Sequence, residues 1–522
     1  MYTPLSITTH YTPCVGLSTP SKILKKCVEY GYKSCAITDN CTLGGVVDFY
    51  SEAKKIGIKP IIGTNIDGTI LLAKNFKGWK NLLKIVSSKN ILDYSEDESL
   101  IAIVKDSEQE KESFYYLKGK FGKDLFTYTQ AGIKSECCYP SKEDFQDYKV
   151  LLAADRKCRV DNITDVNDKF LLSPEEVNDN CQITELIEEF NILGKLNLPS
   201  FPCPDGKDEY SYLVELAREG WKKKLKAKGK VDLKEKETEY SERAKRELAV
   251  IQRVGLSGYF LIVQDYVNWA KDQGWLLGLG RGSSGGSLIS YLLNITDVDP
   301  IQYNLIFERF YNDGRNTADK IAMPDIDTDF PKFKRELVID YICNKFGKDK
   351  VCHIATYSEL KGKSSIKEVL RAHSACGNDE MNKITENIPS KEEISDLLAE
   401  ANEKSILRWT LNNEPDILKD WVSTDDKGQL TGGMSVYFEQ AIRLEGTYIG
   451  TGKHASGIII SGQPLAENCP MMDDKHGEKI AAMDMESLEK AGFVKFDILG
   501  VAVLDKLMGI NNLLLHGKIN PD

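Results

Sequence analysis

Histidine is scarce: the 522-residue chain has 6, and only His10 precedes His353. A metal cluster built on imidazoles is therefore excluded from the first 350 or so positions. No apolar run approaches the ~18 residues that a membrane span requires, so no transmembrane helix is expected. Met1-Tyr2-Thr3-Pro4 offers neither a basic start nor an apolar core, and a signal peptide is not expected either. The 13 cysteines form no CxxC pair, and an odd count without metal-ligand spacing reads as reduced thiols in a cytoplasmic protein. Excess positive charge is lacking too. The formal net charge is −11, which does not announce a nucleic-acid binder.

What is present is a globular composition, 41% hydrophobic and 28% charged, in a chain long enough for about three or four domains. The global charge hides a basic segment with Arg218, Lys222, Lys223, Lys224, Lys226, Lys228 and Lys230. It reads either as a solvated helix face or as a local surface for phosphate.

The stretch Met323-Pro324-Asp325-Ile326-Asp327-Thr328-Asp329-Phe330 organises the reading. Pro324 stiffens its entry and Ile326 and Phe330 favour extended backbone, which predicts a strand with Asp325, Asp327 and Asp329 on one side. Crowded carboxylates raise one another's pKa unless a cation lies between them, so one or two divalent ions with oxygen ligands would suit that face. A solvated acidic turn is the alternative. An EF-hand is excluded, because Phe330 stands where the loop needs Gly.

Upstream, Trp275-Leu276-Leu277 reads as a strand, followed by the glycine-rich Gly278 to Ser287 and a helix to about Asn294. Such a loop lets backbone N–H groups approach phosphate at a helix N-terminus. Gly286 stands where a Walker A loop needs Lys. Gly280, Gly282 and Gly285 fit the dinucleotide pattern GxGxxG, and a triphosphate cradle with Gly282-Ser283 at its tip fits equally. Further on, Gly452 to Ile460 reads as a loop entering a buried strand, and Gly492 to Gly500 as a strand carrying a single acid, Asp497. Buried alone, that carboxylate is costly. It either shares a metal with Asp325 and Asp327 or caps a helix.

Elsewhere the pattern predicts helices over 239–254, 259–270 and 335–345, a strand at 353–357, and a basic helix after Lys361 and Lys363 capped by Ser364 or Ser365. In the first 204 residues, Cys35 to Asp39, a helical Gly45 to Lys55, and Pro60 to Gly63 alternate as a βα sheet or barrel would.

That first segment resembles the PHP domain that opens bacterial C-family replicative polymerases, through Gly16-Leu17-Ser18-Thr19-Pro20, Ala36-Ile37-Thr38-Asp39 and Gly57-Ile58-Lys59-Pro60-Ile61-Ile62-Gly63. The resemblance puts Ser6 and Thr8 at the HxH metal positions, Asp39-Asn40 at the Asp-His, and Asn65 at the Glu. Such donors are poor, so no metal, phosphoesterase or proofreading activity is expected there, and His10 takes a surface or structural role. Gly280-Arg281-Gly282-Ser283, Phe307-Glu308-Arg309-Phe310, Met323 to Asp327, Lys453-His454-Ala455 and Val494-Lys495-Phe496-Asp497, in this order, extend the likeness to the catalytic alpha-subunit family of those polymerases.

The resemblance implies an α/β multidomain fold: a PHP-like βα barrel over 1–204, a nucleotidyltransferase-type palm over 205–373 and 451–510, a helical thumb over 374–450, and the start of fingers over 511–522. It implies Asp325, Asp327 and Asp497 as catalytic ligands of two Mg²⁺ ions. Arg281, Gly282, Ser283, Arg309 and Lys495 would hold nucleotide, and Lys361, Lys363, Lys453 and His454 would hold DNA. The expected partners are primer–template DNA, dNTP, a second polypeptide with the fingers and C-terminal domains, a sliding clamp and a separate proofreading exonuclease, with no membrane. A non-catalytic replisome scaffold and a dinucleotide-dependent oxidoreductase are the competing classes.

Overall fold

The computed structural model describes residues 2–91, 98–109, 111–194, 198–312, 314 and 323–516. Part of the expected fingers segment, 517–522, lies outside the described residues.

The amino-terminal sheet contains β1 (Ser34–Ile37), β2 (Lys59–Ile66), β3 (Thr69–Ala73), β4 (Leu100–Val104) and β5 (Leu125–Thr127), paired in that order. β1–β2 and β4–β5 are parallel, whereas β2–β3 and β3–β4 are antiparallel. The sheet is thus mixed rather than uniformly βα-alternating, because Asp67 and Gly68, both with positive φ, close a tight turn between β2 and β3. Backbone bonds continue it past β1, through Pro4 to Thr8 and then Cys137, into a curved wall.

Both faces of that wall are buried, and the strand period of two sorts the side chains. Ala36, Ile70, Leu72, Ile101 and Ile103 fill an inner core, while Cys35, Ile37, Leu71, Ala73 and Ala102 face the helices Pro20–Glu29, Val46–Lys55 and Phe76–Ser88. The first of these helices starts where the sequence dictates. Thr19 accepts from the Lys22 amide, and Pro20 at the first turn needs no donor.

The helices Glu209–Gly220, Lys234–Arg253 and Ser257–Asp272 pack with a second sheet. The second helix begins five residues earlier than expected, since Lys234 to Glu237 are good exposed helix formers. The sheet contains β6 (Thr328–Pro331) and β7 (Val351–Glu359). After them come a small hairpin of β8 (Ser423–Thr424) and β9 (Leu430–Thr431), then β10 (Tyr448–Ile460), β11 (Met471–Asp473), β12 (Lys479–Ala481) and β13 (Lys495–Val501). Its order is β11-β12-β7-β10-β13-β6. The helix Arg335–Phe346 joins β6 to β7.

Four expectations are corrected. Asp325 and Asp327 precede β6 instead of lying within it, because Pro324 has no N–H for a ladder and pairing with β13 begins only at Thr328. Residues 275–277 are not a strand. The next residue touches the sheet edge, Gly278 N–H donating to the Asp329 carbonyl (3.0 Å). Gly452 to Ser456 are not a loop but part of β10, held by β7 on either side of a bulge between Lys453 and Ile458. The helix Gly362–His373 is capped in the reverse sense: the Ser364 hydroxyl accepts from the Lys361 amide (2.8 Å).

The helices between β7 and β10 interrupt two neighbouring antiparallel strands, and they share one core with Cys138 to Ile163 of the first segment. Arg443 grips the buried Asp147 at 2.6 and 2.9 Å, and Gln440 donates to it at 2.9 Å. The docking is therefore apolar area closed by a bidentate ion pair. Met471 and Ala481 of the second sheet, and Phe493 just before β13, likewise join the core of the first.

Candidate metal centre beside a glycine loop

Ile326 anchors the acidic stretch. Its side chain is fully buried and its amide donates to the Tyr259 hydroxyl (3.3 Å), so the flanking Asp325 and Asp327 turn away from the core. Phe330 packs against Tyr266 and fixes the strand that follows. On β13, Phe496 points into the core against Tyr259. The alternation therefore puts Lys495 and Asp497 together on the other face.

The two segments meet because β6 and β13 pair in parallel, Thr328 opposite Ile498, and because the Thr328 hydroxyl donates to the Asp497 carbonyl (2.7 Å). One carboxylate oxygen each from Asp325, Asp327 and Asp497 lies within 4.8 Å of the others. Asp497 is 5% exposed and takes a 2.6 Å ion pair from Lys495 and a 3.3 Å hydrogen bond from the Ser456 hydroxyl. It caps no helix. Asp325 is raised to about 6, first by withdrawal from bulk water and then by the Asp497 and Asp327 charges, against the pull of Lys495. Asp327 is raised as well, by burial and by Asp497 and Asp329, with Arg281 and Lys495 opposing. Three crowded hard-oxygen donors, two held above their ordinary range, fit a divalent cation, whose charge would relieve the repulsion.

The glycine loop lies over these acids. Gly280 and Gly282 adopt φ of 117° and 65°, and a Cβ on Gly282 would stand 3.3 Å from Asp327 Oδ2. Arg281 spans Asp327 (3.4 Å) and Asp329 (3.1 Å). Its guanidinium thus rests on carboxylates, and Asp329 pairs with it outside the triad. Ser283 begins the turn Ser284–Gly286 that leads to the helix Leu288–Leu292, capped by Ser287.

The other expected residues are dispersed. Arg309 is exposed on the short helix Phe307–Phe310 and has no ion pair among the described residues. Lys361 faces Glu359 (3.7 Å) and Glu392 (3.5 Å), and Lys363 donates to the Glu386 carbonyl (3.2 Å). Lys453 pairs with Glu478 (2.8 Å). His454 Nδ1 accepts from the Gly457 and Ser456 amides (2.7 and 3.2 Å), which assigns the proton of the neutral ring to Nε2.

In the first segment, Asp39 accepts from the Thr9 amide (2.6 Å), the Thr9 hydroxyl (2.7 Å) and the Thr12 hydroxyl (3.0 Å). Burial raises it to about 7 against those bonds. The Asn65 side chain accepts from the Gly68 amide (3.0 Å), and Ser6 and Thr8 are buried. His10 is not at the surface: it stacks on Tyr448 at 3.9 Å.

Sequence reasoning missed a buried network behind the loop. Glu247 accepts from Arg243 Nε (2.6 Å), the Ser287 hydroxyl (2.9 Å) and the Leu288 and Ile289 amides (3.0 Å each), and Arg243 also donates to the Gly286 carbonyl (2.6 Å). A signal was available: Tyr240, Glu247 and Ile251 form the buried stripe of their helix, and an acid in such a stripe demands partners.

Residues 211–500, more than half of the chain, match the family described as the bacterial DNA polymerase III alpha NTPase domain. The chain belongs to the bacterial DNA polymerase III alpha family. Residues 5–177 match the PHP domain. Among curated relatives, the DNA polymerase III subunit alpha of Aquifex aeolicus is 30% identical over 98% of this chain and 52% of its own length. That of Borreliella burgdorferi is 31% identical over 99% and 50%, and that of Bacillus subtilis 29% over 98% and 49%. The chain spans about half the length of these DNA polymerase III alpha relatives. An amidohydrolase structure from Chromobacterium violaceum aligns at 16% identity and TM-score 0.13, over 14% of this chain and 28% of its own, too slight a likeness to carry an argument. Among the described residues, no helix is long and apolar enough to cross a membrane.

Proposed function

We propose that this chain is the palm-bearing part of a replicative DNA-directed DNA polymerase that carries out template-directed nucleotidyl transfer. The observation that carries the reading is the meeting of Asp325, Asp327 and Asp497, far apart in sequence, beside a glycine loop. When bound, two Mg²⁺ ions would activate the primer 3′-hydroxyl and neutralise charge on the triphosphate and the leaving pyrophosphate. The three aspartates hold the ions. Gly282 and Ser283 present backbone N–H groups to phosphate, and Arg281, which bridges Asp327 and Asp329, would hold the triphosphate with Lys495 and Arg309. Lys361, Lys363, Lys453 and His454 bind DNA through its backbone, without sequence preference.

In this reading residues 1–204 are a PHP-like structural domain that binds no metal, consistent with Asp39 being filled by Thr9 and Thr12. The palm runs over 205–373 and 451–510 and the thumb over 374–450, with fingers beginning at 511. The chain works in the cytoplasm with primer–template DNA, dNTP, a second polypeptide bearing fingers and C-terminal domains, a sliding clamp and a separate proofreading exonuclease. The exposed Val503, Leu507, Ile510 and Leu514 of the helix Ala502–His516 support an apolar contact for that polypeptide.

Primer extension tests the reading, with this chain alone and with a fingers-bearing partner. Extension is expected only in the mixture, and Asp327→Asn or Asp497→Asn should lower it by several orders of magnitude, since metal charge stabilisation supplies several kcal/mol. Undiminished extension by those variants would refute the catalytic assignment, and full synthesis by the chain alone would refute the split.

A further inference from the structure

A groove of about 420 Å³ lies between the helices Glu209–Gly220 and Lys234–Arg253, lined in part by Arg218, Lys222 and Lys226 of the basic segment and by none of the residues assigned above to metal, nucleotide or DNA. Its floor is apolar: Val214, Ala217 and Trp221 on one side, Leu248 on the other, and Ile289 and Leu292 beneath. Ser241 and Ala244 complete the wall, and every charged residue of the lining is a cation. Arg218, Lys222 and Lys226, four residues apart, form one ridge and Lys245 faces them, while no Asp or Glu lines the groove.

Two observations set this rim apart from an ordinary charged helix face. Three other cations of the same segment are neutralised, Lys223 by Glu219, Lys224 by Asp297 and Lys230 by Asp299, while Lys228, away from the groove, has no ion pair among the described residues. Among the described residues, none of the four rim cations has an ion-pair partner, in a chain whose net charge is −11. The backbone is also irregular along the ridge. Gly220 presses on the Leu292 carbonyl, where a Cβ would collide, and Trp221–Lys226 then widens into a π-helix, a distortion frequent at functional places.

We propose that this groove is a docking site for an acidic amphipathic helix of a partner polypeptide. Apolar side chains at helical spacing would enter the floor while glutamates or aspartates meet the four cations, the helix-in-groove mode of recognition. A nucleic acid fits less well, because the floor is aliphatic and recessed and offers only Trp221 as a stacking surface.

The probe is a fluorescent amphipathic peptide with leucine at every third or fourth position and glutamate between, titrated with the full chain and followed by anisotropy. Saturable, salt-sensitive binding is expected, weakened about tenfold or more by the double charge reversal Lys222→Glu/Lys226→Glu. Val214→Asp, placed in the floor, should weaken it similarly, and a peptide with lysine in place of glutamate should not bind. Since the two lysines are exposed, the double variant keeps its fold, which thermal melting checks. No saturable binding, binding unchanged in the double variant, or displacement of the peptide by oligothymidylate would overturn the proposal. None of these outcomes depends on polymerase activity.

Discussion

Removing the Glu247 carboxylate should unlatch the glycine loop. In Glu247→Ala, Arg243 loses the partner that neutralises it in a site where Glu247 is fully buried, and breaking a buried pair from one side costs about 3–5 kcal/mol. The Leu288 and Ile289 amides and the Ser287 hydroxyl lose their acceptor together, each worth about 1–3 kcal/mol when left unmet. These terms share one site and do not add, so a loss of about 4 kcal/mol is expected for the loop and the helix behind it. At about 1.4 kcal/mol per tenfold, that is roughly a thousandfold faster hydrogen exchange at the Leu288 and Ile289 amides. Exchange mass spectrometry on peptides covering 280–292 reads it directly. Glu247→Gln, which keeps one acceptor oxygen and loses the charge, should fall between. The double variant Arg243→Met/Glu247→Leu should recover part of the loss, because no buried charge is left unpaired. Acceleration below about tenfold in Glu247→Ala would refute the latch.

Two further outcomes concern carboxylates held above their ordinary range. Metal binding at the triad must displace a proton from Asp325 once the pH is below about 6, so Mn²⁺ affinity measured by calorimetry should weaken by about tenfold per pH unit under that point. A pH-independent affinity between pH 5 and 8 would remove the triad as the binding site. Asp39 sits near 7 in the folded chain against about 3.9 unfolded, so the folded state holds the extra proton between those values. Its contribution to stability is complete below about pH 4 and is lost as the pH rises through 7, an effect on the order of 4 kcal/mol. Asp39→Asn should therefore gain on the wild type in urea midpoint between pH 5 and 8, whereas parallel curves would show that Asp39 does not titrate in that window.

The candidate centre was partly legible before any fold was known. Three aspartates two apart from 325 to 329, and a lone acid inside the apolar run at Asp497, are anomalies that demand a cation or a partner: Asp325, Asp327 and Asp497 meet in the triad, and Asp329 finds Arg281. Glycines at 280 and 282 mark a backbone that must turn or approach something closely, and they do both. Arg281 was legible as a cation but not as the bridge between Asp327 and Asp329, because its partners come from a segment more than forty residues away.

What the amino-acid order determines by itself is local: the alternation on β1 and β3, the Thr19 cap, and the buried stripe of the helix Lys234–Arg253 follow from side-chain size, polarity and backbone freedom. The tertiary structure alone decides what depends on pairing across distance. The parallel register of β6 with β13 sets Asp497 beside Asp325, the docking of Arg443 on Asp147 joins the inserted helices to the first domain, and Glu247 finds its donors forty residues on. Strand pairing and burial choose among partners that sequence spacing leaves equally available, so those contacts exist only once the chain has closed on itself.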